Sequence, residues 1–198
     1  MKIKASFMTL VMSSFIVFAG TPLWAQSSRR SARMKTRCEL TAEETEVFVS
    51  YLKAERRSPA LTVLVTRTVP TDMDLDTYNL QLAAKGRGIP PDVRVDFKEK
   101  NKSGCAIVPF SGVANLHFIS KAEHDQIFQT GWSEFHKRYG EEASVLWLSR
   151  VGFNRDKTLA LLYVSSGMGR LAVDGVLYLL ERKEAKWVIK TRIEIYTS

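Results

Sequence analysis

Val145-Leu-Trp-Leu-Ser-Arg-Val-Gly-Phe-Asn-Arg-Asp-Lys-Thr-Leu-Ala-Leu-Leu-Tyr-Val164 is the stretch from which the fold is read. Two apolar runs, Val145–Phe153 and Thr158–Val164, flank the polar turn Asn154-Arg-Asp-Lys157. Runs of this length, rich in β-branched and aromatic residues and bounded by turn residues, read as paired antiparallel strands. The nearly continuous apolar character of Thr158–Val164 predicts a central strand buried on both faces.

Downstream, Ser165–Asp174 reads as a loop, and Gly175–Glu181 as a third strand. Lys183-Glu-Ala185 turns into a last strand, where Trp187, Ile189, Ile193 and Ile195 alternate with Lys190, Arg192 and Glu194. That alternation predicts one buried and one wet face. The C-terminal half is thus expected to be a four-strand antiparallel meander.

Upstream the period changes. Thr41-Ala-Glu-Glu44 is a capping box, and Val47, Phe48, Tyr51 and Leu52 follow on one helical face until Ser58-Pro59. Leu61–Val69 reads as a strand ending at Pro70, Thr71–Pro91 mostly as loop, and a short helix follows Asp92 and fades at Gly104. The charged face of that helix, Asp96, Lys98, Glu99, Lys100 and Lys102, is expected to face solvent. Ala114–Ile119 reads as a strand. Ser120-Lys-Ala-Glu123 is a second capping box, opening a helix to about Gln129. Trp132, Phe135 and Tyr139 then form an aromatic core stripe on a helix closed by Gly140. Helices first and sheet later argue α+β: N-terminal helices with a predominantly antiparallel sheet over residues 38–198.

Thr41-Ala-Glu-Glu44, Asp96-Phe-Lys-Glu-Lys-Asn101, Gly131-Trp-Ser-Glu-Phe135 with Tyr139, Ser149-Arg-Val-Gly-Phe-Asn154, Ala160-Leu-Leu-Tyr-Val164 and Gly175-Val-Leu-Tyr-Leu-Leu-Glu181 together resemble an uncharacterised family of exported bacterial proteins. The resemblance is dense over residues 120–198 and sparse before them, and Arg-Val-Gly-Phe-Asn before an apolar strand is its most specific part. Relatives carry a Gly- and Cys-rich loop after that strand. Here Ser165–Asp174 keeps Gly167 and Gly169 but no cysteine, so no redox role follows for it. The resemblance implies export and fold, with no activity attached.

The 198 residues carry a formal charge of +8, but the charge is unevenly placed. Met1–Lys4, the apolar Ala5–Ala19 and Gly20–Ala25 read as the n-, h- and c-regions of a signal peptide over residues 1–25. Residues 26–37 add Arg29, Arg30, Arg33, Lys35 and Arg37 and no acid, a basic arm. Residues 38–198 hold 22 basic against 21 acidic side chains, or +1. The arm reads as a solvated terminus or as a contact with an anionic membrane surface. Its charges, placed after the apolar stretch, also leave open an uncleaved, membrane-anchored N-terminus. The favoured location is periplasmic or secreted. A near-neutral domain without a basic–aromatic stripe disfavours nucleic acid. Cys38 and Cys105 fit an oxidising compartment as a disulfide pair, or else are small buried hydrophobes.

Chemical motifs are weak. Asp72, Asp74 and Asp76 begin like a calcium loop, but Thr77 and Ala83 stand where Gly and Glu are required, so no metal is expected. His117, His124 and His136 lack metalloprotease spacing. No cofactor is indicated. The ligand-binding candidates are Ser165, Ser166, Gly167, Gly169 and Asp174 of the loop, together with Arg150. Arg150, alone in an apolar run, either faces outward or grips a carboxylate or phosphate. The expected function is a binding or interaction module of the bacterial cell envelope, its partner an envelope protein or small molecule. The alternative is an envelope hydrolase in which His117 or His136 meets Asp or Glu neighbours only in the fold.

Overall fold

In the computed structural model, residues 38–56, 59–83 and 88–197 are described. The expected signal peptide (1–25) and basic arm (26–37) lie outside them. Among the described residues five helices and seven strands follow in the order α1 (Ala42–Glu55), β1 (Thr62–Val65), α2 (Leu75–Ala83), α3 (Pro91–Lys100), β2 (Leu116–Ile119), α4 (Lys121–Thr130), α5 (Trp132–Tyr139), β3 (Ser144–Leu148), β4 (Gly152–Phe153), β5 (Leu159–Gly169), β6 (Ala172–Lys183) and β7 (Lys186–Thr197). The strands form one mixed sheet in the order β2-β1-β3-β5-β6-β7, with β4 paired to β5 beside this path. β1 runs parallel to β2 and β3, and the pairings from β3 to β7 are antiparallel. The α+β class holds, with a parallel corner that the helix-first reading did not anticipate.

Side-chain alternation along each strand divides the core between two faces. On one face, Val47, Phe48, Tyr51 and Leu52 of α1 pack against Leu146 and Leu148 of β3, Leu162 and Val164 of β5, and Tyr178 and Leu180 of β6. The other face carries two separate clusters. Ile127 of α4 and Phe135 of α5 cover Val63, Val65 and Val145. Leu75, Val93 and Phe97 of α2 and α3 cover Leu161, Leu177, Leu179 and Ile193.

Both expected helix starts are present. Thr41 and Glu44 exchange the two bonds of a capping box, Thr41 N–H to Glu44 Oε2 at 3.0 Å and Glu44 N–H to Thr41 Oγ1 at 3.2 Å. At α4 only half of the expected capping box forms: the Ser120 hydroxyl accepts the Glu123 N–H at 3.0 Å, but the Glu123 carboxylate turns away to the Tyr139 hydroxyl, 3.5 Å distant.

Four expectations are corrected. Thr71–Pro91 contains α2, whose start is capped by Asp74 Oδ1 accepting the Asp76 N–H at 3.1 Å and the Thr77 N–H at 3.4 Å. The Val145–Phe153 run is two strands, interrupted at Ser149-Arg150-Val151. There the Arg150 backbone bonds to Asn101 instead of a ladder, its N–H to Oδ1 at 2.7 Å and its C=O from Nδ2 at 3.0 Å. The charged face of α3 is only partly a solvent face. Asp96 accepts the Phe153 N–H at 2.7 Å and Lys100 donates to the Val151 carbonyl at 3.2 Å, so both hold β4. Finally, β7 does not keep one buried face. Register shifts between Leu179 and Leu180 and between Gly175 and Val176 mark β-bulges. Trp187 and Ile189 therefore join the α1-side core, and Ile193 and Ile195 the opposite one.

Cys38 and Cys105 lie at disulfide distance, their Cα atoms 4.9 Å apart. Cys105 is fully buried, and the Cys38 carbonyl accepts the Ala106 N–H at 3.1 Å. Closing a loop across a separation of 67 residues restricts the unfolded chain by about 4 kcal/mol in the chain-entropy estimate. Replacing both cysteines with alanine is expected to lower stability by about that amount in oxidising chemical denaturation. A loss below about 1 kcal/mol would mean that the pair contributes no cross-link in solution.

Candidate functional site

Two helical clusters share one face of the sheet and leave a gap between them. A cleft of about 490 Å³ lies there, lined by Val69–Met73 of the segment after β1 and by Trp147, Tyr163, Ser165, Val173, Ile195 and Tyr196 of the sheet. That volume suits a small organic molecule.

Strand register builds the floor. Trp147 of β3 pairs with Ser165 of β5, Ser165 with Gly175 of β6, and Gly175 with Tyr196 of β7. One lateral row across four strands thus reads aromatic, small, small, aromatic, which makes a trough. Gly175 is required by close approach: a Cβ there would sit 2.8 Å from Tyr196 Cζ and 2.9 Å from the Tyr163 hydroxyl. The bulge opposite Gly175 brings the sequence neighbours Ile195 and Tyr196 to the same cleft.

The polar part of the floor is a chain of hydroxyls. Tyr196 Oη lies 3.1 Å from Tyr163 Oη and 3.1 Å from Ser165 Oγ. Burial and the neighbouring Tyr196 hydroxyl push the Tyr163 phenol well above its ordinary range, so it stays protonated. Asp72 at the exposed rim is the one ionised side chain among the lining residues.

The predicted binding residues do not converge. The Ser165–Asp174 loop is instead β-ladder up to Gly169 and again from Ala172, with Arg170-Leu171 as the connection. Its small residues read as loop formers, yet they sit in strands because they make room for aromatic rings. A Cβ on Gly167 would lie 3.0 Å from Trp132 Cη2, as one on Gly175 would meet Tyr196. Ser165 lines the cleft. Ser166 points the other way and donates to Asp174 Oδ2 at 3.0 Å, while Gly169 has open space around it near the hairpin end.

Arg150 is elsewhere and already engaged. Its Nε and Nη2 donate to Glu44 Oε1 and Oε2 at 3.0 and 2.9 Å, a two-pronged pair with a carboxylate of its own chain. Its Nη1 lies 3.5 Å from Cys38 Sγ. Beside this pair Lys157 bonds Glu43 at 2.7 Å and holds that carboxyl down to about 2.

The histidines pack on aromatic rings of the α4–α5 layer. His117 lies against Tyr139, His124 stacks on Phe128 with its edge to Trp147, and His136 stacks on Trp132. None lines the cleft. The three aspartates also part: Asp72 lines the cleft, Asp74 caps α2 and Asp76 binds Lys98 at 3.1 Å. Among the described residues no cluster of His, Cys, Asp or Glu has the arrangement of a metal site, and no helix is long and apolar enough to cross a membrane.

Sequence reasoning reached one residue of the trough, Ser165. Trp147, Tyr163 and Tyr196 carry no local signal of a shared site, and only the register assembles them. If Gly175 is the seat of Tyr196, Gly175→Ala will expel the ring and break the hydroxyl chain. The expected cost is about 1–3 kcal/mol from overpacking, with the indole resonance of Trp147 shifted in two-dimensional NMR. A neutral substitution with unchanged Tyr196 and Trp147 resonances would remove the trough as described. No protein-family model matches the chain, nor does any curated protein or solved structure.

Proposed function

We propose that the chain is exported and that its folded part is a binding module of the bacterial cell envelope, taking a small molecule in the Trp147–Tyr196 trough. The observation that carries the binding half is the trough itself: a concave, mostly apolar surface with a few convergent hydroxyls, the usual composition of a ligand site. Export is supported by the signal-like residues 1–25, by the cysteine pair, which suits an oxidising compartment, and by the resemblance to exported proteins. A nucleophilic role for Ser165 would need a base beside it, whereas its hydroxyl meets that of Tyr196.

One purification tests both halves. Protein isolated from the envelope fraction is expected to have an intact mass beginning near Gln26. Native mass spectrometry should show it carrying a small molecule that Ser165→Phe, which fills the trough, fails to retain. A full-length membrane-bound chain would overturn export. Equal retention by Ser165→Phe would overturn the trough as the binding site.

A further inference from the structure

The hydroxyl chain and the charge of the rim select among ligands, and the selection rests on the proposed reading of the trough as a binding site. Three hydroxyls, Tyr163, Tyr196 and Ser165, are joined by two contacts of 3.1 Å each. Each hydroxyl carries one proton. Two links use two protons, so one O–H always remains to donate outside the chain. Tyr163 is buried and Ser165 is half-buried on the cleft floor. With Tyr163 buried and donating to Tyr196, the spare O–H falls to Ser165 or to the part-exposed Tyr196, both of which line the cleft. Hydrogen bonds in series polarise one another and strengthen that spare donor.

The remaining surface sets the rest of the ligand. Val69, Pro70, Met73, Val173 and Ile195, together with the Trp147 ring, offer apolar contact, and Asp72 supplies a single negative charge. An anion entering the cleft would meet that carboxylate with no basic side chain among the lining residues to offset it. A bare hydrocarbon would leave the spare O–H unpaired as it dried the floor, at the cost of an unmet polar group.

We infer that the trough takes an aromatic or alicyclic molecule that carries no negative charge and bears one oxygen acceptor, a carbonyl or ether, directed at Ser165 and Tyr196.

Four probes of matched shape test this: acetylnaphthalene, ethylnaphthalene, naphthoate and a naphthyl trimethylammonium salt. Binding is followed on the folded protein through the Trp147 indole resonance. Acetylnaphthalene is expected to bind about tenfold tighter than ethylnaphthalene and naphthoate, the factor set by one well-made hydrogen bond. In the double variant Ser165→Ala/Tyr196→Phe, which keeps the ring over Gly175, that preference should vanish, because ethylnaphthalene no longer dries an unpaired O–H and acetylnaphthalene no longer accepts one. Equal binding of acetyl- and ethylnaphthalene at Trp147, or tightest binding of the anion or cation, would overturn the ligand class and leave the trough a binding site. Failure of all four to perturb Trp147 would overturn the binding reading together with the class.

Discussion

A carboxylate removed from water needs its lone pairs satisfied, because an ion in an apolar interior costs several kcal/mol unless paired and hydrogen-bonded. Glu44 has no solvent exposure, and it accepts four bonds. Two come from the Arg150 guanidinium, one from the Val151 N–H at 3.2 Å, and one from the Thr41 N–H that completes the capping box. One side chain thus starts α1, fixes the break between β3 and β4, and sets α1 against the sheet. The same break is held from behind by Asn101 and by Lys100. Charge here serves the architecture: the arginine that stood out in the sequence as a ligand-gripping candidate grips a glutamate of the same chain.

With α1 fixed on one face, the opposite face is free to carry two helical clusters that do not meet across Trp147 and Tyr163. The trough arises from that division and from strand register. Its shape depends on two small residues: Gly175 lets the Tyr196 ring lie over it, and Ser165 leaves the space beside Trp147 open. The bulge in β7 turns Tyr196 inward beside Ile195. A β-bulge next to a binding surface is a recurring way of re-aiming a side chain.

Local signals in the sequence carried most elements. The capping box at Thr41, the Ser120 cap, the closing Gly140 and the turns at Asn154–Lys157 and Lys183–Ala185 act through near neighbours, so they could be read there. α2 escaped because its cap, Asp74, sits in a string of aspartates that resembles a cation loop. The bulges escaped because an alternating pattern is silent about an inserted residue: Ile189 and Ile193 look equivalent in β7 yet serve opposite cores. The trough was the least legible part. Serine and glycine near a strand end read as a loop by composition. Their role as spacers between Trp147 and Tyr196 exists only once four strands are in register.

The pairing of Glu44 with Arg150 is tested most directly by a double-mutant cycle, Glu44→Gln, Arg150→Met and the two together, measured by chemical denaturation. Each single change strands its partner in the interior and should cost about 3–5 kcal/mol, whereas the double variant should cost little more than either alone. Single losses below about 1 kcal/mol, or losses that simply add, would contradict this role for the pair.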